Sequence, residues 1–97
     1  MYTTNKAIKN QVFDKLQINK IAKTASLEVL SISLEKEAIF PTHTSPTDAE
    51  LVVLEGTIIF HINNTQYTLG EQDHFSFPKL VEHWVKAEEN AKFLIIR

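Results

Sequence analysis

From Thr24 to Arg97 the chain breaks into short apolar segments at nearly regular spacing, with tight turns between them. No stretch between two segments carries a helical apolar pattern, so a βαβ arrangement is excluded and an all-β sandwich or barrel is expected. SLEVLSISL (26–34) presents Leu27 and Val29 and, after a shift at Leu30, Ile32 and Leu34. AIF (38–40) runs into Pro41, and ELVVLE (50–55) stops at Gly56. TIIFHI (57–62) and TQYTL (65–69) flank Asn63-Asn64, a good hairpin turn because Asn tolerates positive φ. HFSFP (74–78), HWVKA (83–87) and KFLIIR (92–97) complete a set of eight or so strands. Residues 1–20 carry Ile8, Val12, Phe13 and Leu16, which fit a helical face loosely, while Val12-Phe13 also fits a strand. They are expected to form an N-terminal arm on a barrel of residues 21–97.

The chain of 97 residues has room for one modest core. Its net charge of −2 and the lack of a Lys/Arg cluster argue against nucleic acid or an acidic membrane as partner. Cysteine is absent, which removes disulfides, thiolate nucleophiles and Cys-based zinc sites. The polar start MYTTNKAIKNQVFDKL lacks the apolar core of a secretory signal. No apolar run approaches the ~20 residues needed to cross a bilayer. A soluble, cytoplasmic protein is expected.

The sharpest question is posed by PTHTSPTDAELVVLEG (41–56). His43 starts it, Gly56 ends it, and His83 follows Pro78 by five residues. With Asp73 and the alternating Phe75 and Phe77, this order resembles the two motifs of the cupin family. The resemblance covers about the last seventy residues. It implies a cupin-type double-stranded β-helix, a jelly-roll barrel whose metal ligands project inward. It also implies four ligands, of which His43 and His83 match in place. The second His of the first motif falls on Ser45 and its Glu on Ala49, with Glu50 one position late. Glycines of the pattern are replaced by Glu37, Gln72 and Leu80.

Two imidazoles are fewer than the three protein ligands of a catalytic zinc or iron site. Glu50 could join them only through a bulge near 46–49, because neighbouring strand residues face opposite ways. The candidate metal ligands are therefore His43 and His83, with Glu50 the less favoured third, and zinc, iron, manganese or nickel the candidate ions. The alternative without metal is a neutral His pair lining a pocket, with Ser45 as an extra donor. The expected pocket residues are His43, Ser45, Phe60, Phe75 and His83. Leu51, Val53, Ile58, Phe60, Ile62, Phe75, Phe77 and Val85 are expected inside the barrel. His61, His74 and Trp84 are expected outside it. Ser45 lacks the Gly-rich elbow of a serine nucleophile, and Asp48 with Glu50 reads as a solvated pair.

Three functions stay open. The first is a small-molecule binding module with a degenerate or absent metal site. The second, implied by the resemblance, is a metal-dependent oxygenase or isomerase using His43 and His83. The third is a structural or regulatory homodimer without catalysis. Leu-Val-Val-Leu (51–54) and Phe-Leu-Ile-Ile (93–96) are apolar on both faces, and Ile59 and Trp84 add outward apolar surface. A half-solvated sheet should alternate, so a homodimer is expected to cover the outer face.

Overall fold

The computed structural model describes all 97 residues. One short helical turn, α1 (Ala7–Asn10), precedes nine strands. These are β1 (Leu16–Lys23), β2 (Glu28–Leu34), β3 (Ile39–His43), β4 (Ala49–Glu55), β5 (Ile58–Ile62), β6 (Thr65–Leu69), β7 (His74–Phe77), β8 (His83–Ala87) and β9 (Ala91–Ile96). They form a five-stranded sheet in the order β1-β2-β9-β4-β7 and a four-stranded sheet in the order β3-β8-β5-β6. Every pairing is antiparallel. The architecture is the all-β jelly roll that the strand pattern and the family resemblance imply.

The core lies between the sheets. Alternation puts Leu30, Ile32 and Leu34 of β2 inward, against Leu51 and Val53 of β4 and Phe93 and Ile95 of β9. The other sheet contributes Ile58, Phe60, Ile62 and Val85. Of the eight residues expected inside, seven are buried, and Phe75 is half-buried against that core.

The start of the barrel differs from the expectation. Residues 16–23 form β1, paired with β2 from Leu16↔Leu34 to Lys23↔Glu28 with one bulge between Lys20 and Ala22. The expected arm–barrel division at 20/21 falls inside this strand. Its weak signal has a physical cause: Ile18 is half exposed, and Lys20 takes the inward position where an apolar residue would mark the period. The shift expected at Leu30 is also absent. Pairing of β2 with β9 runs unbroken from Val29↔Ile96 to Leu34↔Ala91. Glu28 therefore shares the inward face of Leu30, while Leu27, just before β2, is exposed.

The outward face of β2 is buried as well, beneath the N-terminal segment. Ser31 Oγ donates to Gln11 Oε1 at 2.6 Å, and Gln11 Nε2 donates to the Ser31 carbonyl at 3.0 Å. Ser33 Oγ donates to the Val12 carbonyl at 2.7 Å. Lys92 Nζ donates to the Ile8 carbonyl at 2.8 Å and lies 5.1 Å from the centroid of the Phe13 ring. Each buried polar group thus has a partner, as burial away from water requires.

The turns keep a backbone that their side chains do not favour. Asn63 and Asn64 have φ of 52° and 57°, the type I′ hairpin geometry. Glu37, Gln72 and Leu80, which stand where the family pattern has glycine, have φ of 72°, 69° and 63°. A side chain in this region costs roughly 1–2 kcal/mol. Leu80 is 68% exposed, so little packing offsets the strain. Leu80→Gly is expected to raise stability by about 0.5–1 kcal/mol after the entropy of the added glycine is subtracted. The urea midpoint at unchanged slope measures it, and a fall in the midpoint contradicts it.

Candidate functional site

His43 and His83 are direct partners across β3 and β8. Upstream of His43 the ladder pairs Phe40 with Val85, so β3 holds one residue more than β8 over this interval. That bulge leaves Pro41 and Thr42 exposed and turns both Phe40 and His43 toward the core. The two rings stack at 4.1 Å and 11°. His83 is held between Phe60, stacked at 5.2 Å, and the edge of Phe77 at 4.6 Å.

Hydrogen bonds fix both imidazoles. His43 Nδ1 is 2.7 Å from the Pro41 carbonyl and His83 Nδ1 is 2.9 Å from the Val81 carbonyl. A carbonyl oxygen only accepts, so each Nδ1 carries the hydrogen. The Nε2 atoms are left facing each other at 3.1 Å. Two neutral rings would oppose their lone pairs at this distance, and one proton or one cation between them removes the repulsion. Burial pushes the His83 ring below the usual imidazole range, partly offset by its bond to Val81.

The pair lines a cavity of about 410 Å³ between the sheets. Its walls are Ile18, Leu30, Ile32, Phe40, Phe77 and Ile95. Its polar lining is Lys20, His43, Thr44, Ser45, His83 and Arg97. Ser45 is buried, and its Oγ donates to the Thr47 carbonyl at 2.6 Å. Of the expected pocket residues, the structure brings His43, Ser45 and His83 together. Phe60 and Phe75 are corrected to supporting positions outside the lining. Phe60 lies in the centre of its sheet as the backing of His83, and Phe75 faces Tyr67 at 5.0 Å. Phe40 and Phe77 line the cavity in their place.

Glu50 is also corrected. No bulge turns β4 at this residue, and it pairs in register with Ser76 and Ile96. Its carboxylate points to the outer face, where it meets His74 Nε2 at 2.6 Å and Ser76 Oγ at 2.5 Å. The Ser76 and His74 bonds hold the carboxyl below its usual range. His74 is exposed, and His61 is half-buried in a stack with Trp84 at 3.5 Å. No three His, Cys, Asp or Glu side chains converge to hold a metal ion. The 3.1 Å spacing and the carbonyl-bonded Nδ1 atoms suit two neighbouring ligands of one ion. A three-ligand catalytic centre does not fit the residues present, so no step is assigned to a metal.

Three charged residues escaped the sequence reading. Glu28, Lys20 and Arg97 lie at one end of the five-stranded sheet, on its inward side. Glu28 Oε1 accepts from Arg97 Nε at 2.8 Å, and Oε2 lies 3.0 Å from Lys20 Nζ. The Arg97 and Lys20 bonds lower the Glu28 carboxyl from 4.5 to about 2. The available signal was alternation: Glu28 stands two residues before Leu30, and Arg97 two after Ile95. A second, open groove of about 570 Å³ borders the Asn63-Asn64 turn and is lined mainly by polar residues, including His61, Gln66 and Glu82. It lacks the apolar walls that hold a small organic ligand.

Comparison with known proteins agrees with this fold. Residues 30–97 match the Cupin_2 family, described as a cupin domain, and the chain belongs to that family. A cupin-2 domain containing protein from Shewanella frigidimarina is 26% identical, with a TM-score of 0.75 over 89% of this chain and 83% of that one. An RmlC-like cupin from Desulfovibrio desulfuricans is 17% identical, with a TM-score of 0.85 over 99% and 95%. KdgF from Halomonas sp. is 18% identical, with a TM-score of 0.76 over 90% and 81%. The latter two likenesses concern the fold alone. No curated protein matches by sequence. No helix is long and apolar enough to cross a membrane.

The lost ligand positions are available for repair. Ser45 and Ala49 are both buried, and Ala49 pairs with Phe77 beside His83. Ser45→His with Ala49→Glu is expected to create stoichiometric zinc or nickel binding, because four donors complete the shell. Calorimetric titration measures it, and His43→Ala in that background should abolish it. A double variant that folds and binds no metal shows that the loop cannot bring position 45 to the His pair.

Proposed function

We propose that this cupin is a small-molecule binding protein whose ligand enters the cavity between the sheets and ends against His43 and His83. The observation that carries this reading is the lining itself: six apolar side chains together with six polar ones, among them two clamped imidazoles. The volume of about 410 Å³ lies in the range of small-ligand pockets. An activated nucleophile is not what these residues offer, since the Ser45 hydroxyl is engaged by the Thr47 carbonyl.

Thr44 is exposed at the rim of the cavity, so Thr44→Trp should close it without entering the core. Fragments screened by amide NMR are expected to move the signals of His43, Ser45, Phe77 and His83. The Thr44→Trp protein should keep its thermal midpoint and lose those shifts by about tenfold or more. Hits confined to the Asn63–Gln66 groove, or unaffected by Thr44→Trp, overturn the reading.

A second copy of the chain is the proposed cover for the outward row Val52, Leu54, Leu94 and Ile96. Val52 and Leu94 are paired in register, Leu54 is exposed, and the N-terminal segment bonds to Ser31, Ser33 and Lys92 on this face. An apolar row of this kind favours a twofold partner. Light scattering is expected to give twice the chain mass of 11.1 kDa, and the single-chain mass refutes the dimer.

A further inference from the structure

We propose that the cavity selects small organic carboxylates, held by Arg97 and Lys20 with their apolar part between the sheets. This rests on the binding reading above and adds the ligand's charge to it. The chain as a whole is acidic, with a net charge of −2. The cavity lining is the opposite: it contains Lys20 and Arg97 and no Asp or Glu. Glu28 lies behind the two cations and joins them, at 2.8 Å from Arg97 Nε and 3.0 Å from Lys20 Nζ. A carboxylate so placed orients the cations without filling the space in front of them.

The Arg97 side chain spends only Nε on that bond. The terminal nitrogens of its guanidinium remain as donors for a planar, charged acceptor, the geometry that carboxylates match well. Lys20 sits on an edge strand but takes the inward position opposite Leu30, so its ammonium serves the cavity rather than the outer face.

Geometry sets the class of anion. The terminal nitrogens of one guanidinium match a planar carboxylate. A phosphate monoester shares the anionic chemistry but is tetrahedral and brings close to two charges at neutral pH. Charge beside Leu30, Ile32 and Ile95 is costly to bury, and a carboxylate brings less of it. The apolar walls favour a short hydrocarbon or aromatic body over a sugar.

The test is a matched panel on the unaltered protein, read by amide and side-chain NMR shifts. Propanoate, hexanoate and benzoate are compared with propanamide, hexanamide and benzamide, and phenyl phosphate is added as the second anion. Each acid is expected to bind at least about tenfold more tightly than its amide, the scale of one charge-assisted hydrogen bond. Shifts should include Arg97, Lys20 and His83. Arg97→Gln should remove most of the acid–amide difference while leaving amide binding in place. Lys20→Gln, on the exposed edge strand, should reduce the difference less and checks the result if Arg97→Gln folds poorly. Acids and amides binding the cavity equally well would overturn the carboxylate inference and leave the binding reading standing. Phenyl phosphate binding more tightly than benzoate would also overturn it, in favour of a phosphate ligand. If neither acids nor amides perturb the cavity at millimolar concentration, the binding reading fails together with the inference.

Discussion

The extra residue in β3 determines the geometry of the site. Phe40 pairs with Val85 and His43 with His83, three steps on one strand against two on the other. Without the bulge, Phe40 and His43 would face opposite sides of the sheet, as strand alternation requires. With it, both rings turn inward and stack, and the imidazole meets its cross-strand partner edge on. The Nδ1 bonds to Pro41 and Val81 then settle the orientation of the Nε2 atoms. Strand register and two local carbonyls thus place the His pair in the lining of the cavity.

Much of the barrel was legible because turns and alternation are local signals. The Asn63-Asn64 hairpin, the strand from 50 to 55 and the inward set from Leu51 to Val85 all follow from period-two patterns between turn residues. The pairing of His43 with His83 came from their places in the family motifs. Readings failed where a distant segment changes what a face demands. Ser31 and Ser33 look like the solvated side of β2, yet they are buried because Gln11 and Val12 lie over them. With polar residues on a buried face and Glu28 on the inward one, the true alternation of β2 is masked. Lys20 does the same to β1. Phe60 and Phe75 were misplaced for a different reason: facing inward does not say how deep between the sheets a ring lies.

The departures from the family pattern fall into two physical groups. Glu37, Gln72 and Leu80 replace glycines but keep positive φ. The hydrogen bonds Ala38 N to Glu35 O, Asp73 N to Gly70 O and Leu80 N to Ser45 O close around them. Turns tied into the sheet on both sides impose their backbone even on an unfavourable residue. Ser45 and Ala49 replace ligands, and nothing in the backbone compels those side chains to be restored. A strained turn affects the whole barrel, whereas a missing ligand affects only what the barrel holds. The fold does not depend on the side chains at positions 45 and 49 being metal ligands.

Glu28 ties the ends of β2 and β9 to the two cations of the cavity lining. Its backbone exchanges two hydrogen bonds with Arg97, N to O at 2.6 Å and O to N at 3.0 Å. Its side chain holds Arg97 and Lys20 at the same end of the sheet. Because those bonds keep its carboxyl down at about 2, Glu28 is ionised throughout the physiological range. Removing Glu28 would raise the positive charge but release both side chains from their fixed positions. Attraction for an anion would increase while orientation was lost, and a ligand that needs a planar contact with the guanidinium depends on both. On the carboxylate reading, the half-buried Glu28 side chain that bridges the two cations holds them in place for a planar anion.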